Sequence, residues 1–160
     1  LVGSEMCIRD SFTGVYPGLA TDAAPLLAAA MLCAEGESSI EDVVFEERFG
    51  CAAGFERLGG RAKRAGRVLS VGPLPESGLH GAALTAPDLR GGAALVLAAL
   101  AAGGKSWVED TRHIDRGYAG LTETLAALGA RIGREMTPAP GCVKKIPAKN
   151  QNRLAFGAKR

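Results

Sequence analysis

The stretch Ala34-Glu-Gly-Glu-Ser-Ser-Ile-Glu-Asp42 returns as Ala102-Gly-Gly-Lys-Ser-Trp-Val-Glu-Asp110, identical at five of nine positions and displaced by 68 residues. Similarity at a fixed period marks one supersecondary unit used twice. Each copy follows an alanine- and leucine-rich helical stretch, turns on glycine and enters a short strand-like run. A second helix follows in each, over 46–58 before Gly59-Gly60 and over 117–128 before Gly129-Ala130. Glycine just past the last apolar residue is a common helix stop. The runs 61–64 and 67–71, with Gly66 between them, suit a tight hairpin. The unit therefore reads strand, helix, strand, helix, strand, strand. Its copies are expected over 12–78 and 79–135, the second cut short after Ile132. Helices alternating with strands pack on sheet faces, so the fold class is α+β, built of repeated βαβαββ units.

Composition fits one such body. Hydrophobic residues make up 47% of the chain but aromatics only 5%, so alanine, leucine and valine must fill the core. No apolar run reaches the roughly 18 to 20 residues of a membrane span; the longest, 93–102, reads as a buried helix. Residues 136–160 hold six basic side chains and no acidic one, which leaves 1–135 at a net charge of −4. That body offers no basic surface to a nucleic acid. Four cysteines without CxxC spacing and two histidines do not favour zinc. Unpatterned cysteines suit a reducing cytosol, and Cys33 reads as a small core residue.

The two ends look different from the body. Residues 1–11 have neither the basic start nor the apolar core of a signal peptide and read as a non-native leader, with an edge strand as the alternative. Residues 136–160, rich in Pro, Lys, Asn and Gly without periodicity, are expected to form a disordered basic tail.

The repeat also points to chemistry. Shifted by 68, Asp22 falls on Arg90 and Arg48 on Arg116, all read as helix-start positions. Asp22, after Thr21, suits an N-cap, and Asp88 suits the same role in the second copy. Arg90 is less easily explained, because a cation in the first turn opposes the helix dipole at about 0.3 to 1 kcal/mol. A helix start with an arginine beside it is a good anion site; an ion pair with Asp88 or Asp115 is the structural alternative. Arg116 poses the same question. Gly104-Lys105-Ser106 is not a P-loop, since Ala99 stands where its first glycine belongs and the segment runs from helix to strand. The chain has no GxGxxG and no GxSxG.

Four blocks carry a family resemblance: Tyr16-Pro-Gly-Leu-Ala-Thr-Asp22, Val43-Val-Phe-Glu-Glu-Arg-Phe49, Thr85-Ala-Pro-Asp-Leu-Arg90 and His113-Ile-Asp-Arg-Gly-Tyr118. In order and spacing, over about 13–132, the chain resembles the UDP-N-acetylglucosamine enolpyruvyl transferases. The sister family, which makes enolpyruvylshikimate phosphate, shares the fold but lacks the second and fourth blocks. The resemblance implies an inside-out α/β barrel of βαβαββ units in two domains, with the active site in the cleft between them. This chain would hold an incomplete, carboxy-terminal portion.

The implied reaction moves the enolpyruvyl group of phosphoenolpyruvate to the 3-hydroxyl of UDP-N-acetylglucosamine and releases phosphate, the first committed step of peptidoglycan synthesis. By resemblance the enzyme is cytoplasmic and needs no metal or other cofactor. Its partners are the two substrates and the missing amino-terminal domain, so this portion is expected to be inactive alone; the alternatives are the 3-phosphoshikimate 1-carboxyvinyltransferase and a non-catalytic fragment or binding module. Asp22 matches the aspartate that contacts the hydroxyl and is the candidate base. Val44 matches a nucleotide-sugar contact, and Arg90 and Arg116 match arginines that hold phosphoenolpyruvate. Glu46 and Asp88 match residues that orient those arginines, and Arg48 completes the set by its place in the repeat. The family's reactive cysteine, lysine and asparagine belong to the other half, so none of the cysteines here is catalytic. Arg90-Gly-Gly-Ala93 departs from the family's alanine–serine continuation and is expected to loosen the helix start, since glycine costs about 1 kcal/mol in a helix.

Overall fold

The computed structural model describes residues 10–135 and 153–157. The first unit runs β1 (Ser11–Phe12), α1 (Ala24–Met31), β2 (Ser38–Glu41), α2 (Ala52–Arg57), β3 (Ala62–Ala65) and β4 (Val68–Val71). The second runs β5 (Ala83–Thr85), α3 (Leu89–Ala101), β6 (Lys105–Glu109), α4 (Arg112–Gly117), α5 (Leu121–Ala127), β7 (Ile132–Glu135) and β8 (Arg153–Gly157). Each forms a four-stranded sheet of the same order, β1-β2-β4-β3 and β5-β6-β8-β7. In both, the first two strands are parallel and the other pairings antiparallel. The fold is α+β, in two βαβαββ units.

Several local expectations hold for the physical reasons given. Gly59 and Gly129 end α2 and α5 at φ +86° and +94°, and Gly66 turns the β3–β4 hairpin at +60°. Such angles are cheap for glycine and costly for other residues. The run 93–102 lies in α3 up to Ala101, with Ala102 as its extended C-cap, and Gly91 to Val96 are all buried. Among the described residues no helix is long and apolar enough to cross a membrane.

Other expectations are corrected. The disordered tail fails at β8, which pairs with β6 and β7, and Leu154 and Ala155 are buried. The second unit is therefore not cut short after Ile132. Its fourth strand stands beyond 136–152, which lie outside the described residues, whereas Gly66-Arg67 suffice in the first unit. Ser11, assigned to the leader, sits in edge strand β1, and Asp10 accepts a 2.7 Å hydrogen bond from Ser39 Oγ; residues 1–9 lie outside the described residues. The second helices are shorter than expected: α2 begins at Ala52 rather than at 46, and 112–128 breaks into α4 and α5 around Gly120 at φ +66°. Cys33 is exposed, whereas Cys51 is buried.

The central helices lie inside and the sheets outside. α1 packs along α3, and one core joins both units, taking in Ala24, Ala28 and Met31 of α1 and Ala94, Leu95 and Ala98 of α3. The expected loosening at Gly91-Gly92 gives way to a packing role. A Cβ on Gly92 would stand 2.8 Å from Ile114 and 2.9 Å from Ala86, and one on Gly91 2.8 Å from Pro87. The glycines let α4 and the 86–88 turn close onto α3.

Helix propensity alone favours alanine over Gly92 by about 1 kcal/mol, but overpacking costs about 1 to 3 kcal/mol. Gly92→Ala should therefore lower stability in urea unfolding. A gain would show that α4 does not press on this turn.

Candidate active site

Because β1 runs parallel to β2 and β5 to β6, the carboxyl ends of each pair open toward the turns that lead into the helices, a usual place for sites in α/β structures. Asp42 follows β2 and its side chain is fully buried. Its Oδ1 accepts from the Val44 and Phe45 N–H groups at 2.8 and 2.9 Å, and its Oδ2 accepts a short hydrogen bond from the Thr21 hydroxyl. Thr21 Oγ1 in turn accepts from Arg48 Nε at 3.0 Å. Burial pushes the Asp42 carboxyl up, but Thr21, the two N–H groups and the Arg48 charge outweigh it and hold the pKa below its ordinary value. These bonds shape the turn at 43–45; residues 46–51 stay in turns and α2 begins only at Ala52.

The Asp42–Thr21–Arg48 cluster carries Asp22. The Asp22 carboxylate lies 2.7 Å from Arg90 and 3.5 Å from Arg48, with its side chain 53% exposed. It caps nothing, since the N-cap of α1 is Ala23 without a side-chain bond. Asp88 does cap, accepting from the Arg90 and Gly91 N–H groups at 2.8 Å each, and so fixes the turn that bears Arg90. Arg90 also donates to the Tyr118 hydroxyl at 2.9 Å and lies 5.4 Å from that ring's centre. First Tyr118 and then Asp22 hold its guanidinium more firmly protonated than usual. Its partner is thus its own repeat mate rather than Asp88 or Asp115. Asp115 instead pairs with Arg134 at 2.5 Å.

The remaining expected residues divide. Arg48, 4.3 Å from the Phe45 ring centre, joins the cluster. Val44 lies on the adjoining turn, half exposed, with its N–H already given to Asp42. Glu46 pairs with Arg67 at 2.8 Å, and not with Arg90 or Arg116. Arg116 is not at a helix start: it lies in the last turn of α4, where a cation favours the dipole, and donates to His113 Nδ1 at 3.0 Å. Cys51 is inert, its thiol pushed up to about 12 by burial and then by the Asp88 charge.

Sequence reading missed Thr21, Asp42 and Tyr118. Asp42 had a visible signal, as the last identical residue of the repeated stretch. Thr21 and Tyr118 stand within the quoted blocks, but their partners lie 21 and 28 residues away.

The comparisons with known proteins settle the family. The sequence pattern described as EPSP synthase (3-phosphoshikimate 1-carboxyvinyltransferase) matches residues 10–125. The chain belongs to the EPSP synthase family. A protein of Listeria monocytogenes serotype 4b (strain F2365) named UDP-N-acetylglucosamine 1-carboxyvinyltransferase 2 is 44% identical over 126 residues, 78% of this chain and 29% of its own. A UDP-N-acetylglucosamine 1-carboxyvinyltransferase of Anaeromyxobacter sp. (strain K) is 46% identical over 125 residues, with 78% and 29% covered. The enolpyruvyl transferase NikO from Streptomyces tendae superposes with a TM-score of 0.71 at 38% identity, over 81% of this chain and 30% of its own. EPSP synthase from Acinetobacter baumannii, at 16% identity and a TM-score of 0.54 over 87% of this chain and 29% of its own, shares the fold. The chain spans under a third of the length of these family members.

Asp42→Asn should cost about 2 to 3 kcal/mol at pH 7, the scale of hydrogen bonds to a buried charge. Since folding lowers this pKa, the stabilisation is complete above the unfolded value of about 3.9 and fades as pH falls through the folded value. Urea unfolding at pH 7 and pH 3 should show the gap from wild type narrowing in acid. A constant gap would remove the ionised carboxylate as its source.

Proposed function

We propose that this chain supplies part of the active site of an enzyme that transfers the enolpyruvyl group from phosphoenolpyruvate to the 3-hydroxyl of UDP-N-acetylglucosamine, releasing phosphate, as in peptidoglycan synthesis. The observation that carries the reading is Asp22 held between Arg90 and Arg48. An exposed carboxylate and a guanidinium that satisfy each other can exchange that bond for two substrate contacts. The hydroxyl takes Asp22, which removes its proton, and the anionic cosubstrate takes Arg90, which stabilises its charge. Asp88 holds Arg90 in place through the backbone, and Arg48 steadies Asp22. Val44 meets the nucleotide sugar through its carbonyl or side chain, and Arg116 meets phosphoenolpyruvate. The relatives' names favour the nucleotide sugar over shikimate 3-phosphate as acceptor.

An exposed apolar border supports a second body over this site. Val15 and Tyr16 are each 93% exposed, and Val43, Val44 and Phe45 are half exposed on the turn bonded to Thr13. Patches of this kind mark interaction surfaces. The partner proposed is the amino-terminal domain of the same enzyme. The reaction as proposed needs no cofactor, nucleic acid or membrane and belongs in the cytoplasm.

A hybrid in which this chain replaces the matching segment of the Listeria relative tests the reading. It should release phosphate only with both phosphoenolpyruvate and UDP-N-acetylglucosamine, while the chain alone stays near background. Asp22→Asn should lower kcat by about 10²-fold or more, and Arg90→Ala should raise KM for phosphoenolpyruvate far more than for the nucleotide sugar. Turnover with shikimate 3-phosphate instead, or full activity of the chain alone, would overturn it.

A further inference from the structure

Arg116 is the one expected anion ligand outside the Asp22 cluster, and what orients it lies on its own helix. Its Nη2 is 3.0 Å from His113 Nδ1. A guanidinium has donors only, so Nδ1 must accept and the imidazole must be neutral with its proton on Nε2. That proton lies on the side of Asp110, whose Oδ2 is 3.9 Å from Nε2. Asp110 is fixed in turn: Arg112 donates to its Oδ1 from Nε at 2.9 Å and approaches it with Nη2 at 2.8 Å. Asp110 is also the single non-glycine residue at positive φ, +55°, among the described residues. Such a backbone is strained and persists where its surroundings hold it.

The second copy therefore uses the repeated aspartate differently from the first. Asp42 is buried and bonds the backbone of the next turn, whereas Asp110 is part exposed and bonds the first side chains of α4. One turn apart along α4, His113 and Arg116 face each other as neighbours three residues apart do.

We infer that His113 is a positioning residue: its neutral Nδ1, with Asp110 behind the ring, aims the Arg116 guanidinium at the anionic cosubstrate. This rests on the reading of Arg116 as a phosphoenolpyruvate ligand. The arrangement follows the rule that a histidine's partner on one nitrogen fixes what the other nitrogen does. His113 itself touches no substrate.

The discriminating variants are His113→Asn and His113→Gln, because an asparagine amide oxygen falls near the place of Nδ1 and a glutamine amide falls near Nε2. In the hybrid enzyme, His113→Gln should raise KM for phosphoenolpyruvate about tenfold, the scale of one hydrogen bond to a charged group. His113→Asn should restore it to within about threefold, and in neither should kcat or the nucleotide-sugar KM move comparably. Equal effects of the two variants, or a fall in kcat with KM unmoved, would overturn the assignment. Nitrogen-15 NMR of the whole 160-residue chain gives a second readout independent of turnover. His113 should be the Nε2–H tautomer, and Arg116→Ala should relax that preference; an Nδ1–H ring in the wild type would overturn the inference. Should Arg116→Ala leave the phosphoenolpyruvate KM unchanged, the ligand reading of Arg116 fails, while the tautomer still reports on the His113 contact.

Discussion

The contact of α1 with α3 is the constraint on which the rest depends. Each is the first helix of its unit, and small residues of both, Ala24 and Ala28 of α1 and Ala94 and Ala98 of α3, belong to a single core. With the helices paired, the residue just ahead of α1 meets the first turn of α3. These are Asp22 and Arg90, 68 residues apart and equivalent by repeat, joined at 2.7 Å. Their closeness follows from the quasi-symmetry, since corresponding ends of corresponding helices come together. Their opposite charges make an ion pair where duplication alone would have placed two like groups.

The candidate site grows from breaking that symmetry. One copy turns its aspartate inward, as Asp42, to build a buried polar cluster beneath Asp22. The other turns its aspartate outward, as Asp110, to line up α4 and its basic side chains. Glycine closes the assembly, because Gly92 leaves room for Ile114 and Gly117 for Leu89. The Arg90-Gly-Gly-Ala93 run is thus a packing feature rather than a weakness.

Much of the architecture was legible in the sequence for local reasons. The repeated nonapeptide, the glycine helix stops and the hairpin at Gly66 located both units and most strands. What was not legible depended on distance. β8 pairs across 136–152, so no hairpin signal announced it. The break between α4 and α5 falls at Gly120, which takes a positive φ. At the site, Asp22, Arg48 and Arg90 were marked by the repeat and meet in space. Arg116 was marked too but stands at the opposite helix end from the one expected, and Glu46 serves Arg67. Tyr118 escaped notice because its role appears only once α4 lies beside α3.

Asp22 and Arg90 interact directly across the two units. A double-mutant cycle in urea unfolding, with Asp22→Asn, Arg90→Gln and the pair, measures that interaction. Asp22 is half exposed, so the coupling should be modest, about 0.2 to 1 kcal/mol at low salt, and should shrink in 1 M salt. Strict additivity of the two substitutions at low salt would contradict the account.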